Sequence, residues 1–183
     1  MAYTITDHEA GFLPINVIDT GTLTASSVSS GSTTTIPTPP AVPGQVVKAF
    51  DPTYGMGEFI LLKGVASTAV GSLVIFNTTS YTTTLCPVTA NLGSPVAISM
   101  TANTSSSNWS WYQIEGVAVV AKSTGLVLAT NVAIGVNSIG KVGTSASGKQ
   151  ILGARTANTA SVVSATTTVL VILNRPHLQG RIT

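Results

Sequence analysis

The apolar residues of this chain come in short clusters separated by turn-forming residues, and the clusters alternate with a period near two. VVKAF (residues 46–50), EFILLKG (58–64), SLVIFN (72–77), YTTTLCPV (81–88) and PVAISMT (95–101) each read as a β-strand. WSWYQIEGVAVVAK (109–122) is the clearest strand, and shorter candidates follow at 126–129, 133–136 and 151–155. TTTVLVILN (166–174) closes the series and is apolar enough to be central. Turns are expected around Asp51-Pro52, residues 55–57 and the polar tract ANTSSSN. No window carries a 3.6-residue apolar period with caps, and the runs of threonine and serine disfavour helix. Many short strands with turn signals between them predict an all-β fold, an antiparallel β-barrel or β-sandwich.

The first 44 residues follow another pattern. FLPINVIDTGTL holds apolar positions broken by Pro14 and Gly21, and TASSVSSGSTTTIPTPPAVPG (24–44) is a low-complexity stretch with four prolines. Such a tract buries too little to offset its ordering entropy, and its prolines favour polyproline-like extension. Residues 1–44 are therefore expected to form an extended N-terminal arm and linker, and residues 45–183 the barrel or sandwich domain. Phe12, Leu13, Ile15, Val17, Ile18 and Leu23 are too apolar for a solvated tail and suit an arm lying across another subunit.

Charge changes the picture more than any motif. Only 8% of the residues are charged, with 8 bases against 6 acids, where an ordinary soluble domain carries about 25%. Catalysis by acids and bases, and metal binding, need ionisable groups brought together. Here they are dispersed, and no catalytic residue, metal site or cofactor is expected. The net charge of +2 lacks any basic run, so direct nucleic-acid binding is not expected. The longest apolar runs, such as 117–121 and 169–173, fall far short of the about 20 residues of a spanning helix, and no membrane partner is expected. The opening MAYTITDHEAGF has no basic and apolar succession of a secretory leader.

Candidate chemistry is sparse. Asp7, His8 and Glu9 are adjacent, but neighbours on an extended chain point to opposite faces. His177 reads as a surface residue and Cys86 as a buried, unreactive thiol. GVNSIGKVGTSASGK (135–149) lacks the spacing of a phosphate loop and reads as a loop or hairpin connection. Trp109, Trp111 and Tyr112 form the one aromatic cluster. Alternation puts Tyr112, Ile114, Gly116, Ala118 and Val120 on one face, and Trp109, Trp111, Gln113, Glu115, Val117 and Val119 on the other. Core packing of one tryptophan is the first reading. An interface, or a sugar site flanked by Gln113 and Glu115, is the alternative.

EFILLKGVASTAVGSLVIFN, PVAISMTANTSSSNWSWYQIEGVAVVAK and TTTVLVILNRPHLQG, in that order, resemble the capsid decoration, or cement, proteins of tailed bacteriophages. The features concerned are a KGVAST turn after the first strand pair, a WYQI-G strand and a closing VLVILNRP strand, over roughly residues 45–180. The resemblance implies a β-rich structural protein without catalysis. It implies a location on the virion exterior after assembly in the host cytoplasm, contact with the major capsid protein, and self-association. Of the oligomers a trimer is expected ahead of a dimer. A head-fibre or host-attachment protein that binds surface glycans is the alternative function.

Overall fold

The computed structural model describes residues 42–181 and four short strands before them. Those four are β1 (Thr4–Ile5), β2 (Leu23–Thr24), β3 (Ser26–Ser29) and β4 (Thr35–Thr38). Then follow β5 (Val46–Asp51), β6 (Gly55–Lys63), β7 (Leu73–Phe76), β8 (Thr83–Leu85) and β9 (Val96–Ser99). The long β10 (Asn108–Ala121) precedes β11 (Ala133–Ser138), β12 (Lys141–Thr144), β13 (Gln150–Thr156) and β14 (Thr168–Leu178). Among the described residues there is no helix, hence none long and apolar enough to cross a membrane. The fold is all-β and antiparallel.

One sheet runs in the order β1-β5-β6-β10-β14-β13-β11-β12, with β9, β7 and β8 branching from β10. β10 organises it because it is long enough to change partners. Its first half pairs with β6 on one side and with β2 and β9 on the other; its second half pairs with β14. The sheet therefore divides at β10 and curls, and three apolar clusters fill the folds. The largest lies between β7 and β9 and the β10–β14 group, with Leu73, Ile98, Val120, Val136, Val142 and Val171 among its members. A second gathers Val47, Ala49, Phe59, Leu61, Met100, Trp109 and Trp111. A third gathers Ile60, Leu62, Val74, Ala97, Tyr112 and Ile114.

Most expected strands appear within a residue or two. β6 instead starts at Gly55, so the turn expected at 55–57 lies at 52–54, where the Asp51 carboxylate accepts from the Thr53 and Tyr54 N–H groups. The other exceptions have local causes too. The 81–88 stretch shortens to β8, because Tyr81 takes a left-handed φ of 54° behind a turn capped by the Asn77 carboxamide. The 126–129 stretch makes only a bridge, Leu128 to Val162. Residues 135–149 hold a hairpin, β11 to β12, turning through Gly140 at φ 67°. β14 continues through Pro176, which lacks an N–H, because the strand is bulged there. Leu152 faces His177 and Ala154 faces Leu173, so Gly153 alone opposes residues 174–176. Within the 24–44 stretch, β3 pairs with β4 antiparallel as a separate two-stranded sheet. β1 and β2 join the main sheet of their own chain, Thr4–Ile5 along β5 and Leu23–Thr24 along β10.

Candidate interaction face

The anticipated face assignment of β10 holds only as far as Gln113. Gln113 pairs with Phe59, and Glu115 pairs with Glu58, so one extra residue, Ile114, is accommodated between them. Adjacent residues Glu58 and Phe59 point to opposite faces, so Gln113 and Glu115 do too. Gln113 stays inside, and its Nε2 donates to the carbonyls of Glu115 and Val117, both at 3.0 Å. This side chain spans the bulge. Gly116 completes it at φ 92°, where a Cβ would run into the carbonyl of Met56 and the Cα of Gly57.

Trp109 and Trp111 are 7% and 2% exposed, packed on Phe59, Leu61 and Met100. They are core residues in this chain and offer no stacking surface for a sugar. That burial follows from their being opposite Lys63 and Leu61, in the part of β10 covered on both faces. Leu23 belongs to β2, where it pairs with Trp109 along the backbone. Phe12, Leu13, Ile15, Val17 and Ile18 lie outside the described residues, as do Asp7, His8 and Glu9.

Cys86 is fully buried, and burial pushes its thiol up to about 12. His177 is exposed on β14. Among the described residues, no three or more His, Cys, Asp or Glu side chains group as a metal site. Lys122 is fully buried, and its Nζ donates to the carbonyls of Ser123 and Thr166 at 3.0 Å and of Ser164 at 3.5 Å. The ammonium thus ties the end of β10 to the segment that leads into β14.

Among the described residues, accessible charge concentrates on the outer face of β5, β6, β10 and β14. β5 alternates strictly, with Val47, Ala49 and Asp51 buried and Val46, Lys48 and Phe50 exposed. Lys48 stands opposite Glu58, and Glu58 opposite Glu115. Arg175 reaches over both acids: its Nη2 donates to Glu58 at 2.7 Å, and its Nε lies 3.7 Å from Glu115. The β14 bulge aims it there, since Arg175 itself takes a φ of 41°. The hydrogen bond from Arg175 to Glu58, then the charge of Glu58, raises the Arg175 pKa above its ordinary value. Lys48 adds a longer contact to Glu58 at 3.8 Å.

Beside these charges the face is apolar. Phe50 stands opposite Met56, and Val117 opposite Ile172. Phe50, Met56 and Ile172 are 45%, 51% and 45% exposed. Gly57 and Gly116 floor a shallow groove between Met56 and Ile172, rimmed by Lys48, Glu58 and Glu115. Sequence reasoning missed Arg175 and Glu58. Their rarity was the available signal, because Asp51, Glu58 and Glu115 are the only acids in the described part of the chain. What brings them together is two bulges, which no local pattern announces.

Compared with known proteins, this chain matches no family model, no curated protein and no solved structure.

Proposed function

We propose that this protein is a structural component of a bacteriophage virion that decorates the capsid exterior and stabilises it by binding the major capsid protein. The observation that carries the reading is the lie of the N-terminal strand. β1 occupies the outer edge of β5 at only two residues, Ala49 and Phe50, and among the described residues no other strand pairs there. A chain that lays its terminal segment along a sheet edge has the means to lay it along a neighbour's edge, with main-chain hydrogen bonds for affinity. The low charge fits permanent contact, since desolvating charges at an interface is costly. Hundreds of copies on a lattice also strengthen contacts that are individually weak.

The glycan-binding alternative needs accessible aromatic rings, and the tryptophans that suggested it are buried. The test is electron microscopy of capsids mixed with the purified chain. Added density in a regular array on the outer surface, and capsids that survive higher temperature, are expected. Bare capsids at saturating protein would overturn the reading.

A further inference from the structure

The face that carries Arg175 has the properties of a contact between two copies of this chain. A protruding aromatic side chain, Phe50, and the glycine-floored groove between Met56 and Ile172 lie side by side on one sheet face. Both signs of charge alternate next to them, Lys48 and Arg175 against Glu58 and Glu115. A patch that presents a knob, a hole and both charges is self-complementary. Turned by 180° about an axis lying in the plane of the face and passing between knob and groove, a second copy brings each feature onto its counterpart, which is the requirement of an isologous contact. A patch of one sign would repel its own copy, and a neutral groove alone would not say which partner fills it.

We propose that this face is a two-fold interface in which Phe50 of each copy enters the Met56–Ile172 groove of the other. The proposal stands on the geometry of the face and is independent of any capsid role. It differs from the threefold association expected from the sequence. A threefold contact joins two different patches, whereas knob and groove here share one patch. Aromatic side chains seated in apolar pockets dominate such contacts, and a charged rim sets their orientation.

Analytical ultracentrifugation of the purified full chain tests this without any capsid. The wild type should sediment at twice its 18.6 kDa across the micromolar range. Phe50→Asp should weaken the dimer more than ~30-fold and leave monomer at the same concentrations. Ile172→Asp, on the far wall of the groove, should do the same should Phe50→Asp fail to fold. Ile139→Asp replaces a 64%-exposed residue in the β11–β12 turn and should leave the dimer intact. A monomeric wild type overturns the proposal. So does a trimer, or a dimer that survives both Phe50→Asp and Ile172→Asp.

Discussion

At the residue scale, the informative positions are those where burial meets a polar atom or a left-handed backbone. Gly116 is one, because its φ of 92° and the nearby Met56 carbonyl leave no room for a Cβ. Gly116→Ala should destabilise the protein by on the order of 1–3 kcal/mol, read as a lower urea midpoint with an unchanged slope. An unaltered midpoint would show that the bulge relaxes freely. Cys86 gives the molecule a pH dependence. Its folded-state pKa near 12 lies above the unfolded value of 9.0, so the unfolded chain loses this proton first. Stability from this group is complete below about pH 9 and falls as pH rises toward 12, by up to about 1.4 kcal/mol per pH unit. Cys86→Ala should flatten that part of the alkaline decline in chemical denaturation curves. If wild type and variant decline in parallel between those limits, burial of the thiol is not what shifts it.

At the element scale, β10 and β14 bear most of the structure. Ile114 and Val171 sit in separate clusters on these strands. Truncating either to alanine should cost about 1–4 kcal/mol, the usual range for a buried branched side chain left as a cavity. Native-state hydrogen exchange should rank the strands independently. Amides of residues 117–120, flanked by β14 and by the bulk of the core, should exchange only through global unfolding, and those of the terminal strand β12 sooner. Equal protection would contradict the central place of β10. Much of this was legible in the sequence, because period-two alternation directly encodes a half-buried strand. VVKAF gives the alternating burial of β5 in this way. What the pattern could not carry was the face of each residue beyond Gln113. A single inserted residue at Ile114 reverses all later assignments, and the cause is the pairing of Glu115 with Glu58, a contact between residues 57 positions apart in the chain. The same limit hid Arg175, whose direction is set by Gly153 on another strand. Trp109 and Trp111 were seen as a cluster from sequence, but their burial depends on β6 and Met100, which no local window contains.

At the scale of the whole molecule, the remaining question is what the first 44 residues do for the rest. Strands β5 to β14 and all three apolar clusters lie within residues 46–178. Among the described residues, the core lies within the compact region, and β1 and β2 each pair over two residues, at Ala49–Phe50 and at Asn108–Trp109. Four residue pairs are a small part of the ladder, and a strand held so briefly is readily exchanged for the same strand from a neighbour. The hairpin of β3 and β4 folds back within the linker, so it shortens the reach of an arm whose residues 24–44 would extend to about 60–70 Å if straight. Deleting residues 1–44 should then leave the β-sheet circular dichroism and a cooperative melt in place, with a modest loss of stability from the two uncovered edges. If the arm is the tether proposed above, binding to undecorated capsids should fall far more than stability does, because its main-chain contacts to neighbours are lost with it. A truncated chain that binds capsids as tightly as the full chain would move the tether into the sheet domain, and the outer face around Phe50 and Arg175 would be the first place to seek it.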